Sequence, residues 1–142
     1  MKRMRSEKGA ALIEAAITVP IILLICVGIF EFGRAYQTMQ VLTNAAREVA
    51  RMAVITTSTD EAITARVRAY MQAGSLSNHA TAAVTIQRSV AMTGADTGSS
   101  IVIDYPFQFM VLNPVVRLIA PADTKTGAPI TMKSSALMRN ES

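Results

Sequence analysis

From Ala10 to Phe32 the chain is apolar except at Glu14, Thr18 and Glu31. A helix over this run, rising about 1.5 Å per residue, is long enough to cross a bilayer core of roughly 30 Å. Beyond it, Leu42, Ala45, Ala46, Val49, Met52 and Ala53 recur at steps of three and four, while Arg47, Glu48 and Arg51 take the other side. That spacing predicts an amphipathic continuation of the same helix, packed on a sheet, with Glu48 and Arg51 as an exposed pair. Ser58 and Glu61 are spaced as a capping box, and Ile63, Val67, Tyr70 and Met71 make the apolar face of a second helix that Gly74 ends. Asp60 and Glu61 then complement that helix's dipole, a commoner use of adjacent carboxylates than acid–base chemistry.

After His79 the period changes to two. Ala82, Val84, Ile86, Val90 and Met92 share one face of a predicted strand, with Arg88 intruding, and Ile101, Ile103, Tyr105, Phe107 and Phe109 share one face of the next. TGADTGS between them has turn chemistry, and Pro106 favours an edge or a bulge. The aromatic stripe lacks the basic neighbours of a base-stacking surface and is read as the core face against the long helix. Asn113-Pro114 predicts the N-cap and first residue of a short helix through Ile119, and Ile130 to Arg139 a third strand. The fold class predicted is α+β: a long N-terminal transmembrane and amphipathic helix packed on a small antiparallel sheet of about three strands, with about 100 residues left outside the membrane to make a soluble core.

Charge changes the picture mainly by its location. The formal net charge is +4, but Lys2, Arg3, Arg5 and Lys8 stand against Glu7 alone in the first nine residues, leaving 10 basic and 9 acidic residues elsewhere. The rest of the chain has no electrostatic footprint for a polyanion, so no nucleic-acid partner is expected. The basic cluster before the apolar run places the N-terminus in the cytoplasm and the head outside it. Phe30, Phe32 and Tyr36 fall where the helix leaves the hydrocarbon.

The single cysteine, Cys26, excludes an internal disulfide and reads as an apolar filler. His79 lies near Ser75 and Ser77 in a polar stretch, but such proximity does not make a catalytic pair, and an exposed loop histidine is expected. No phosphate loop, zinc spacing, calcium loop, nucleophile elbow or internal repeat occurs. No catalytic residue, metal site or cofactor is therefore assigned, and the chain is read as not an enzyme.

An ordinary signal anchor explains the length and orientation of the apolar run. A cleaved secretory peptide fits less well, because the run is too long and offers only Cys26-Val27-Gly28 as a small-x-small site. Neither explains Glu14. A carboxylate in a membrane helix costs a few kcal/mol on insertion scales and usually has a partner.

The residues KGAALIEAA resemble a prepilin peptidase site: a short basic leader ending in glycine, then an apolar helix with glutamate at its fifth position. Residues 9–53, notably Glu31-Phe32-Gly33-Arg34-Ala35-Tyr36 and Asn44-Ala45-Ala46-Arg47-Glu48, look like the segment of the TadE-like minor pilins of the Tad/Flp (tight adherence) type IV pilus system. The ending Ala136-Leu137-Met138-Arg139-Asn140-Glu141 is similar to the way many members of that family end. The major pilins of that system are much shorter and carry tyrosine after the glutamate, whereas Ala15 stands here, so the likeness is to a minor pilin or pseudopilin.

The resemblance implies a pilin-like fold and cleavage between Gly9 and Ala10 by a membrane aspartyl peptidase on the cytoplasmic side, with Gly9 keeping that segment extended. The new ammonium on Ala10 gives Glu14 a partner, on its own chain or a neighbour's, that sets axial register in a fibre. Solvation of Glu14 among cytoplasmic headgroups is the plainer alternative. Pro20 removes a backbone hydrogen bond and kinks the helix, either as pilin-like helices tolerate or incidentally.

The organisation expected is a leader over 1–9, a transmembrane helix over 10–33, its extracytoplasmic continuation over 34–56 and an α+β head over 57–142. The implied partners are other Tad pilins and minor pilins, the prepilin peptidase, and the inner-membrane assembly platform, in pilus assembly or initiation for adhesion and surface colonisation. The location implied is the bacterial inner membrane, single-pass with a periplasmic head, and the extracellular pilus after assembly. The rival readings are an uncleaved single-span anchor with a periplasmic binding domain and a membrane-tethered enzyme.

Overall fold

The computed structural model describes residues 3–55, 58–92, 96–119 and 129–140. One helix, α1 (Arg3–Val54), runs unbroken for 52 residues through Pro20. Its leader portion is helical as well, so the extended backbone expected at Gly9 is not found. Arg, Met, Glu and Lys around it are good helix formers, and one glycine costs only about 1 kcal/mol against them. The side chains of the leader, Lys2 through Lys8, lie outside the described residues.

The outer half of α1 is buried as the stripe predicted, with one exchange. Leu42, Ala45, Ala46, Val49 and Ala53 are buried together with Ala50, while Met52 is only half-buried. Alanines there let the helix lie close on the sheet. Glu48 reaches Arg66 of the second helix at 3.9 Å rather than the expected Arg51. In this partly exposed setting the pair is worth a few tenths of a kcal/mol.

Helix α2 (Asp60–Ala73) buries Ile63, Val67 and Met71 against α1. Its N-cap is Thr59, whose hydroxyl accepts from the Ala62 amide at 3.2 Å, so the capping box expected from Ser58 and Glu61 does not form: the cap lies one residue later and Ala62 has no polar side chain to return the bond. Ser58 instead offers its carbonyl to Arg88 at 2.7 Å. At the other end the left-handed residue is Ser75 (φ 60), not Gly74. The Ser75 amide donates to the Gln72 carbonyl and the Leu76 amide to the Met71 carbonyl, a Schellman closure sealed by the buried Leu76 and Met71. Gly74 is required by proximity: a Cβ there would lie 2.6 Å from a methyl of Val41 on α1.

The sheet is an antiparallel meander, β1 (Ala83–Ala91), β2 (Thr97–Phe107) and β3 (Ile130–Arg139), with β2 central. Ile101, Ile103, Tyr105 and Phe107 are all buried on its inner face, as their alternation predicted. The first strand departs from its pattern. Gln87 pairs with Ser100 but Val90 with Gly98, so Arg88 and Ser89 together oppose Ser99 in a bulge, with Ser89 at φ 60. The bulge shifts the alternation by one and moves Val90 and Met92 to the outer face, away from Val84 and Ile86. The same bulge sends Arg88 back to the Ala53 carbonyl at the end of α1 (3.4 Å) and to Asp60 at the start of α2 (2.7 Å), joining two helix termini to one strand.

Pro106 sits in the central strand, not at an edge. It is tolerated because the β1 ladder ends at Asp104, so the side of Pro106 facing β1 is locally free. There the Pro106 carbonyl accepts from Asn78 Nδ2 at 3.0 Å. Within the predicted turn, residues 93–95 lie outside the described residues, while Met92 donates to the Asp96 carbonyl at 2.9 Å.

Gly98 is covered on the outer face. A Cβ there would lie 2.8 Å from the Met138 carbonyl and 2.8 Å from Met92 Sδ. Because the carbonyl belongs to the paired strand, Gly98→Ala is expected to force β2 and β3 apart locally and to destabilise the head by about 1–3 kcal/mol, measurable by thermal unfolding of the full chain in micelles.

Candidate functional site: the bare helix and its junction with the head

Two surfaces follow one another along α1. Every residue from Ala10 to Cys26 is exposed, including Glu14, Pro20 and Cys26 itself. Gly9 to Val54 is long and apolar enough to cross a membrane, and its most apolar stretch is left uncovered by the other described residues. In water each fully exposed Leu, Ile, Val or Phe forgoes about 1.5–3 kcal/mol of burial. The bare half therefore calls for lipid or for other helices. Ala10 and Glu14 are four residues apart in continuous helix and share one face, within reach of each other. Gly9 has open space around it, with nothing within 4 Å of an added Cβ.

Burial begins at Glu31. This residue is fully buried, and its Oε1 accepts a hydrogen bond from the Val111 amide at the start of helix α3 (Leu112–Ile119). Its other oxygen meets Arg34 Nε at 3.7 Å, an ion pair without a hydrogen bond. Arg34 in turn donates from Nη2 to the Gln108 carbonyl and lies 5.0 Å over the Phe107 ring, which packs edge-on with Phe109 at 5.2 Å. Thr38, one turn further on, is buried and donates to the Arg34 carbonyl at 3.0 Å.

A carboxylate and a guanidinium on one turn of α1 thus grip the backbone that follows β2. Glu31 also brings negative charge to the N-terminal end of α3, the favourable sign for a helix dipole. The third helix begins at Leu112, earlier than the expected N-cap at Asn113.

Sequence reasoning included Glu31 and Arg34 in a motif but gave them no task. A carboxylate and an arginine three apart at the apolar boundary were the available signal; the backbone groups they bind, some 80 residues later, carry none. Beside the junction lies an open groove of about 920 Å³, walled by Arg34, Thr38, Leu76, Asn78, Tyr105 and Phe109 among others. His79 is half-buried rather than exposed, its Nδ1 2.9 Å from the Leu76 carbonyl. It is a turn-stabilising residue.

Residues 9–51 match the model of the TadE-like protein family, a little under a third of the chain. The matched segment runs from Gly9 through the bare helix, the Glu31–Arg34 grip and most of the buried stripe. No curated protein and no solved structure matches the chain.

Proposed function

We propose, on the premise of a TadE-like segment at residues 9–51, that this chain is a minor pilin or pseudopilin of a Tad/Flp-type pilus. It is stored in the inner membrane with the head in the periplasm, processed after Gly9 by the prepilin peptidase, and drawn by the assembly platform into helix packing with other pilins. The observation that carries this reading is the single helix with two surfaces, bare to Cys26 and buried from Leu42 to Ala53. Such a helix holds its head rigidly while its apolar half exchanges lipid for neighbouring helices. Glu14, exposed on that half, would otherwise carry a charge into an apolar bundle at considerable cost, and the ammonium created on Ala10 one turn away neutralises it.

The continuity of α1 through the Gly9–Ala10 bond favours a second reading, an anchor that is never cut, since proteolysis needs this turn to unwind. Intact mass of the protein from cells with an active prepilin peptidase separates the two. A chain beginning at Ala10 is expected; a full leader would sink the pilin reading. Glu14→Ala is expected to retain cleavage but to reduce recovery in sheared fibres about tenfold or more, the effect of losing ~1.4 kcal/mol or more of subunit affinity. Unchanged recovery would remove Glu14 from the assembly step.

A further inference from the structure

The segment gripped by Glu31 and Arg34 presents apolar side chains that no other described residue covers. Met110 is 61% exposed and Val115 46%, Val111 lies between them at the surface, and α3 reads LNPVVRLI, apolar but for Asn113 and Arg117. The height of this patch along α1 is fixed by the Val111 amide on Glu31 and the Gln108 carbonyl on Arg34. From Ala10 to Glu31 the helix rises about 32 Å, against about 30 Å of hydrocarbon, so the grip falls at the outer boundary of the span. Phe30 and Phe32 flank Glu31 around the helix at about 100° to either side, and both are exposed, Phe32 by 69%. The patch thereby stands at the same level along α1 as these exposed aromatics.

We propose that Met110 to Val115, with the first turn of α3, is a membrane-resting foot whose apolar side chains lie in the interfacial zone of the bilayer. The partner is the lipid surface, because the patch sits at the depth where the span ends and is flanked by the aromatics that mark that depth. The foot rests on the reading of residues 10–32 as membrane-spanning. It holds the head at one orientation on the membrane, so withdrawal of a subunit must lift the foot as well as the helix.

The chain has no tryptophan, so single replacements report their own surroundings. Phe32→Trp, Met110→Trp, Val115→Trp and Leu137→Trp are made in the full chain and reconstituted in phosphatidylethanolamine–phosphatidylglycerol vesicles carrying a shallow acyl-chain quencher. Leu137 is the reference for the far end: it pairs with Ser100, seven residues up β2 from Phe107, or roughly 24 Å from the junction.

Tryptophans at 32, 110 and 115 are expected to be blue-shifted and quenched roughly threefold or more above the one at 137. Quenching at 32 with none at 110 and 115 overturns the foot and leaves the span intact. Absence of quenching at 32 overturns the span and the foot together. Emission at 110 and 115 that shifts with protein density but ignores the lipid quencher assigns the patch to a second copy of the chain, and also overturns the foot.

Discussion

Replacing Ile103 by alanine is expected to cost the head about 2–5 kcal/mol, the largest effect of any single truncation in it. Ile103 is fully buried at the middle of the central strand, paired with Val84 on one side and Ser134 on the other, in the core cluster that includes Leu42, Ala46 and Val49 of α1. Truncation removes apolar contact and leaves a cavity that two hydrogen-bonded neighbours prevent from collapsing. A small domain is stabilised by only about 5–15 kcal/mol, so the loss is a large fraction of the whole.

Thermal unfolding of the full chain in micelles measures the effect, at roughly 4–8 °C per kcal/mol for a head of this size. Val102→Ala, one residue along on the outer face, is expected to cost less than about 1 kcal/mol. Equal losses at the two positions would contradict the one-sided core.

The second large effect is expected at Glu31. Glu31→Ala removes the acceptor of the Val111 amide and the partner of Arg34 at a fully buried site. A hydrogen bond to a charged group contributes about 1.5–3 kcal/mol, and a buried donor left without one adds to the cost, so the junction should weaken by about 2–4 kcal/mol. Because the core of the head does not pass through Glu31, the loss should be local. Hydrogen exchange at Val111 and its neighbours is expected to accelerate roughly 30- to 1000-fold, while the amides of β2 around Ile103 keep their protection. Glu31→Gln keeps an oxygen for the amide and should recover part of the difference. Equal acceleration in both variants would mean that the charge, and not the hydrogen bond, holds the segment.

The two sites differ in how far they could be read beforehand. Ile103 is marked by its alternation with Ile101, Tyr105 and Phe107, a local signal that survives because the sheet has one buried face. The fate of Val90 and Met92 was not readable in the same way, because a bulge at Arg88 and Ser89 inverts the face and nothing in the local pattern marks it. Arg88 looked like an intrusion on an apolar face. Its purpose lies in the ends of two helices that the strand meets only in three dimensions. Glu14, by contrast, stands out by chemistry alone, as a charge in an apolar run.

The bare helix is what the chain's own order determines: a largely apolar run long enough for a bilayer, a stripe of small residues continuing it at helical spacing, and an α+β head with about three strands. These are periodic, local properties of backbone and side chain, and they persist whatever the helix packs against. The aromatics at 30, 32 and 36 already marked the level at which the bare surface stops, but tertiary structure alone decided what closes it. Glu31 and Arg34 become the boundary only because a strand some 75 residues away ends beside them and delivers an amide and a carbonyl for them to hold. Hydrogen-bond partners that distant leave no period in a sequence, since their pairing is set by the packing of helix on sheet.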